Sequence, residues 1–168
     1  MDRFNWQCRV GVFLFLVSAL VAAPFARGNQ KGAETVSCET YSKLQAPKFR
    51  VARKFLLEPK AGLDLFISIS PSDYSHDRLL ALVCKLAREN ADQPLFNLRV
   101  FNSYSGAKRY HPQGEGNDSN AVNSFLAWYS FNRETNKHSL EWRPDPADLS
   151  QHWVVIKLAP LPTPSPQN

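Results

Sequence analysis

The chain is predicted to be α+β: a two-layer sandwich with one main helix packed on a mixed, mostly antiparallel sheet of five to six strands. Three observations predict this. Leu63–Ile69 alternates Leu63, Leu65, Ile67 and Ile69 with Asp64, Phe66 and Ser68, the two-residue period of a strand with unlike faces. "DRLLALVCKLAREN" (77–90) carries Leu79, Leu82, Val83 and Leu86 at helical spacing, with Leu80, Cys84 and Ala87 widening the stripe. "LFNLRVFN" (95–102) then returns to the period of two and completes strand–helix–strand. One helix laid on one face of a sheet buries such a set, in a split β-α-β or related arrangement.

Met1–Gly28 has the three zones of a secretory signal peptide. Arg3 and Arg9 give a positive start, Val10–Ala23 is uncharged and apolar, and Ala26-Arg27-Gly28 offers small residues to a signal peptidase. The alternative is an uncleaved membrane anchor, but a spanning helix needs about 20 apolar residues. This run is shorter and is closed by Pro24. Cys8 precedes the apolar run, unlike a lipid-attachment cysteine. The expected location is secreted or periplasmic, with the membrane reached only through an uncleaved leader. Losing Asp2, Arg3, Arg9 and Arg27 lowers the net charge from +5 to +3. Such a mild excess favours solubility and weak attraction to anionic surfaces, and it is no nucleic-acid footprint.

Residues 29–47 are polar and patternless and are expected to form a flexible arm. The single α+β domain is expected at 48–158. "APLPTPSPQN" (159–168) alternates proline with small residues and reads as a disordered, extended tail. In "KFRVARKFLLEP", Phe49, Val51, Phe55 and Leu57 share one strand face, and Arg53 interrupts it as a bulge, an edge or a functional group. "EPKAG" is a turn. The helix is expected from about Ser75 to Asn90, capped from among Ser72, Asp73 and Ser75 and ended by Asn90 and Pro94. Its flanking strands should be parallel, adjacent or one apart, with a right-handed crossover. "SYSGAKRY" is a short helical turn. "SFLAWYSFNRETNKHSLEWRPD" is a hairpin turning at "RETNK", with Phe125, Ala127, Tyr129 and Phe131 on one face of its first strand and Leu140 and Trp142 on one face of its second. "PDPAD" is a loop, and "HWVVIKL" is a last strand with Val154, Ile156 and Leu158 facing one way.

Without Cys8, two cysteines remain, Cys38 and Cys84. An even pair in an oxidising compartment invites a disulfide; the alternative is a Cys84 that is simply buried in the helix.

"SISPSDYSHD" gathers Ser68, Ser70, Ser72, Asp73, Ser75, His76 and Asp77 at a strand end and helix start, where anions bind. A Ser-His-Asp triad is assembled across a fold and not within one turn, and no GxSxG elbow is present, so no catalytic residue is assigned. Helix capping explains Ser72, Asp73 and Ser75 fully. The candidate ligand contacts are Ser70, Asp73 and His76, joined by Tyr104, Lys108 and His111 after the next strand. His76, His111, His138 and His152 show no metal-ligand spacing and read as surface groups, so neither a metal nor a cofactor is expected. "GEGNDSN" (114–120) offers calcium-type oxygens without the register of an EF-hand loop and reads as a hydrophilic connection. Its Asn117-Asp118-Ser119 is an N-glycosylation sequon in a host that glycosylates.

Two surfaces stand out. Lys43, Lys48, Arg50, Arg53, Lys54 and Lys60 concentrate positive charge around the first strand, where basic residues commonly guard a sheet edge. Tyr104, Tyr110, Trp128, Tyr129, Trp142 and Trp153 supply aromatic rings, and Trp128 lies on the strand face opposite Phe125 and Phe131. The expected function is an exported, non-enzymatic binding or interaction module, its partner an unknown protein or cell-envelope component. The alternative is a small secreted hydrolase with a site formed by Ser70–Asp77 and Asn102–His111. A purely structural module is the third reading.

Overall fold

The sheet runs in the order β1-β7-β6-β5-β4-β3-β2 in a computed structural model that describes residues 35–57, 61–114, 116–148 and 153–161. The expected leader (1–28), Lys60, Glu115, His152 and the tail from 162 lie outside the described residues. In chain order the elements are β1 (Thr35–Val36), α1 (Cys38–Tyr41), β2 (Phe49–Leu57), β3 (Gly62–Ile69), α2 (His76–Glu89), β4 (Leu95–Phe101), α3 (Tyr104–Arg109), α4 (Ser119–Asn123), β5 (Phe125–Asn132), β6 (Lys137–Trp142) and β7 (Val154–Leu158). A 3-10 turn at Pro71–Asp73 joins β3 to α2. The fold is α+β, with a mixed seven-stranded sheet and four α-helices.

α2 forms where the apolar stripe predicts it. The Ser75 hydroxyl accepts the Arg78 N–H at 3.4 Å, and at the other end the Asn90 side-chain amide donates to the Leu86 carbonyl at 2.8 Å. Leu79, Leu80, Leu82, Val83 and Leu86 are buried with Leu65, Ile67, Leu98, Val100, Tyr129 and Leu140 in the main core. β3 and β4, on either side of this helix, are adjacent and parallel. The other pairs are antiparallel except β1 with β7.

Three sequence expectations are corrected. The strand count rises to seven because Thr35–Val36 pairs in parallel with Lys157–Leu158. The expected arm is thus part of the domain from Thr35 onward, and Cys38 of α1 is disulfide-bonded to Cys84 of α2. The second correction is that helices lie on both faces of the sheet. Every residue of β3 is buried: the odd-numbered positions face α2, while Phe66 joins Phe101 and Ala107 in a second cluster beneath α3. β3 alternates apolar and polar letters because its second face holds Asp64 and Ser68 around a buried Phe66, and not because that face meets solvent. α3 sits close to α4, and a Cβ added at Gly106 would strike the Ser124 side chain. At Gly62, φ is +141° and an added Cβ would collide with the Leu95 carbonyl oxygen, so the turn into β3 requires glycine.

The third correction concerns strand faces. β2 is bulged between Val51 and Arg53, and β5 carries an extra residue, Leu126, between Phe125 and Ala127. A bulge moves all subsequent side chains to the other face. Phe49 and Val51 therefore face α2, whereas Arg53 and Phe55 face the other way with Phe66 and Asp64. Phe125 leaves the face of Tyr129 and Phe131 and packs against Phe101, Tyr110 and Trp153.

His138 departs from the expected surface role. It is buried, its ring 4.5 Å from that of Phe131. Nε2 lies 3.1 Å from the Asn136 side-chain oxygen and Nδ1 lies 3.0 Å from the Tyr129 hydroxyl. The Leu161 N–H also donates to Nε2, at 3.4 Å. Burial pushes the His138 pKa down. The unfolded chain then binds a proton that the folded chain does not, so stability rises with pH through this window. Its contribution is complete above about pH 6.5, the unfolded value, and falls away as pH drops toward the lowered folded value. Urea unfolding between these limits is expected to show a positive slope of stability against pH that flattens in His138→Gln. Equal slopes in both proteins would assign the effect elsewhere.

Candidate functional site

The sheet face opposite α2 is where charged and aromatic side chains converge. Strand register lays them out in rows. α3 covers one end, over Arg50, Ser68, Phe101 and Phe125. The next row crosses six strands as Arg53, Phe66, Arg99, Trp128, Glu141 and Val155, and the one beyond it as Phe55, Asp64, Asn97, Ser130, Ser139 and Lys157. No described helix lies over the middle of these two rows: Trp128 keeps 38% of its surface exposed and Val155 keeps 48%.

Beside Trp128 the surface is built on an ion pair. Arg99 of β4 donates to Asp64 of β3, with 12% and 11% of their side chains exposed. Phe66 lies beneath, fully buried, with the Arg53 guanidinium 4.3 Å and the Arg99 guanidinium 5.0 Å from its ring centre. The β2 bulge is what brings Arg53 here. One of its amino groups donates to the Tyr110 carbonyl, while its Nε is buried without a partner among the described residues. Desolvation lowers the Arg53 pKa; Asp64 opposes this and the charge of Arg99 reinforces it. Two guanidiniums thus share one carboxylate. The Arg99 guanidinium also lies 5.9 Å from the Trp128 ring centre, linking the ion pair to the exposed indole.

The six ligand candidates fall into two sets. Ser70 shares a 2.8 Å hydrogen bond with Ser72, and Asp73 accepts from Arg78 at 2.7 Å. His76 lies 2.9 Å from the Asp77 carboxylate, its ring packed 5.2 Å from Trp142 on the α2 side. On the α3 side, Tyr104 carries the Arg50 guanidinium at 3.6 Å and the Lys108 ammonium at 5.2 Å from its ring centre. His111 is tied by its backbone to the Asn117 side chain at 2.6 and 2.8 Å. The structure brings Tyr104 and Lys108 together, and it sets both across the sheet from His76. In the 114–120 loop, Asp118 caps α4 by accepting the Ala121 N–H at 2.7 Å and pairs with Arg109 at 3.2 Å. Among the described residues no three His, Cys, Asp or Glu side chains are grouped to hold a metal ion.

Asp64, Arg99, Glu141 and Val155 were not singled out from sequence, because each sits at a position that alternation assigns to solvent. One signal was present. Asp64 and Arg99 lie on the non-core faces of two strands expected to be parallel and either adjacent or one apart, and adjacency lets them form an ion pair. No protein family, curated protein or solved structure matches this chain, so its chemistry has to be read from its own geometry.

Proposed function

We propose that this is an exported, non-enzymatic binding domain that engages a protein partner through the open face centred on Trp128. The carrying observation is the exposed indole in the middle of a sheet, backed by the buried Arg99–Asp64 pair and flanked by Glu141 and Val155. A large aromatic and an arginine at the centre of a patch, with polar groups around them, is the composition of a protein-binding hot spot. The pair holds the guanidinium in place before binding, so little order remains to be gained on contact. A binding role is preferred to hydrolysis because His76 packs on the α2 side of the sheet whereas Tyr104 and Lys108 lie on the α3 side. Export accords with the disulfide, since such bonds persist in oxidising compartments. Among the described residues no helix is long and apolar enough to cross a membrane.

Site-specific photocrosslinking in the producing cells tests this reading. A benzophenone side chain at position 128 or 155 is expected to yield a discrete adduct of one mass, weakened by Glu141→Lys. The same group at Lys85, on the exposed side of α2, is expected to yield none. Absence of an adduct from both 128 and 155, or equal labelling from 85, would remove the open face as the contact surface.

A further inference from the structure

We propose that the free edge of β2 accepts an acidic, extended polypeptide as an added strand. β2 is last in the sheet order and nine residues long, whereas the opposite edge strand, β1, has only two. Among the described residues, the β2 backbone makes no hydrogen bond beyond its β3 ladder except one from the Ala61 N–H to the Leu57 carbonyl at its end. A row of unpaired N–H and C=O groups is a template for another strand.

The chemistry of the edge selects the occupant. Lys48, Arg50, Arg53 and Lys54 lie in one short stretch, and 43–57 contains no acidic residue. Lys108 adds to this charge from α3, beside Tyr104 and Arg50. The nearest carboxylate across the sheet, Asp64, is engaged by Arg99. A second copy of the chain paired here would set cations against cations, so the charges that guard the edge against its own kind favour an acidic strand.

The bulge sharpens the pattern. On the α2 side the edge presents Val51, Lys54 and Leu56, with Leu56 74% exposed. On the other side it presents Arg50, Arg53 and Phe55, with Phe55 45% exposed. Each face of the edge thus mixes cations with apolar surface, and the complementary strand sets acidic residues against Arg50, Arg53 and Lys54 and apolar residues against Val51, Phe55 and Leu56. A lipid surface would leave the unpaired backbone groups of the edge unsatisfied, whereas an added strand pairs them. This edge shares Arg53 with the row that holds Trp128 but lies three strands away from the indole, and either surface can fail alone.

The test uses the oxidised full chain and a short, end-blocked peptide alternating glutamate and valine. Fluorescence anisotropy is expected to show binding, with slowed amide exchange in β2. Arg50→Glu with Lys54→Glu should weaken binding by at least about tenfold. Peptides N-methylated on one or the other alternate set of residues separate strand pairing from charge attraction, and at least one set should abolish binding. Both methylated peptides binding like the parent would overturn the proposal. So would equal binding by the charge-reversed protein, or adsorption to phosphatidylglycerol vesicles without any binding of the peptide.

Discussion

Replacing Cys38 and Cys84 together by alanine is expected to lower stability by about 4 kcal/mol, the loop-closure value for cysteines this far apart. The two residues are separated by 46 positions, and their bond closes a loop containing β2, β3 and most of α2. What it fixes in the folded state is small and local. α1 has four residues and β1 has two, too few to hold themselves in place. Their other ties include the Arg88 side chain, which donates to the Cys38 carbonyl at 2.8 Å, and the Ala159 N–H, which donates to the Val36 carbonyl at 2.9 Å. Two readouts should therefore move. The urea midpoint should fall, and amide exchange at Val36–Tyr41 should accelerate more than in α2. A loss below about 1 kcal/mol, well under the usual cost of removing a native disulfide, would mean that the unfolded chain is scarcely constrained by this loop.

This bond also explains why the N-terminal segment looks patternless in the sequence. "TVSCETY" carries no hydrophobic period, because its place is set by one covalent bond and a parallel pairing with β7, and neither leaves a local pattern. α2 lies at the other extreme. Its stripe, its Ser75 cap and its Asn90 stop are all encoded within the segment, and its limits match the expectation closely. The strand faces were legible only up to their bulges. Alternation carries a face forward until one residue is inserted; Arg53 hints at the insertion at Ala52, whereas nothing in "FLAW" announces the one at Leu126. The candidate surface was hidden for the same reason. Arg53 broke the pattern of the face it was assigned to, which was the signal. Its destination beside Arg99 and Asp64 depended on a bulge and on the pairing of β3 with β4.

Asp64→Ala is expected to destabilise the protein by about 3–5 kcal/mol, because it leaves a largely buried guanidinium without its partner. Arg99 has only 12% of its side chain exposed. Arg53, close enough for the two positive charges to repel, would lose the carboxylate that offsets them. A surface ion pair would contribute about 1 kcal/mol or less, so the size of the loss distinguishes the two cases. Adding Arg99→Met to Asp64→Ala should recover much of it, since the charge that needs a partner goes while a long apolar side chain still covers Phe66. If the pair serves only packing, the recovered double variant should still crosslink from position 128. If it holds the Trp128 surface in its binding form, the double variant should fold and lose the adduct, and that is the expected result. A single-variant loss below about 1 kcal/mol would show that water reaches Arg99 freely and that the open face is not pre-ordered by its ion pair.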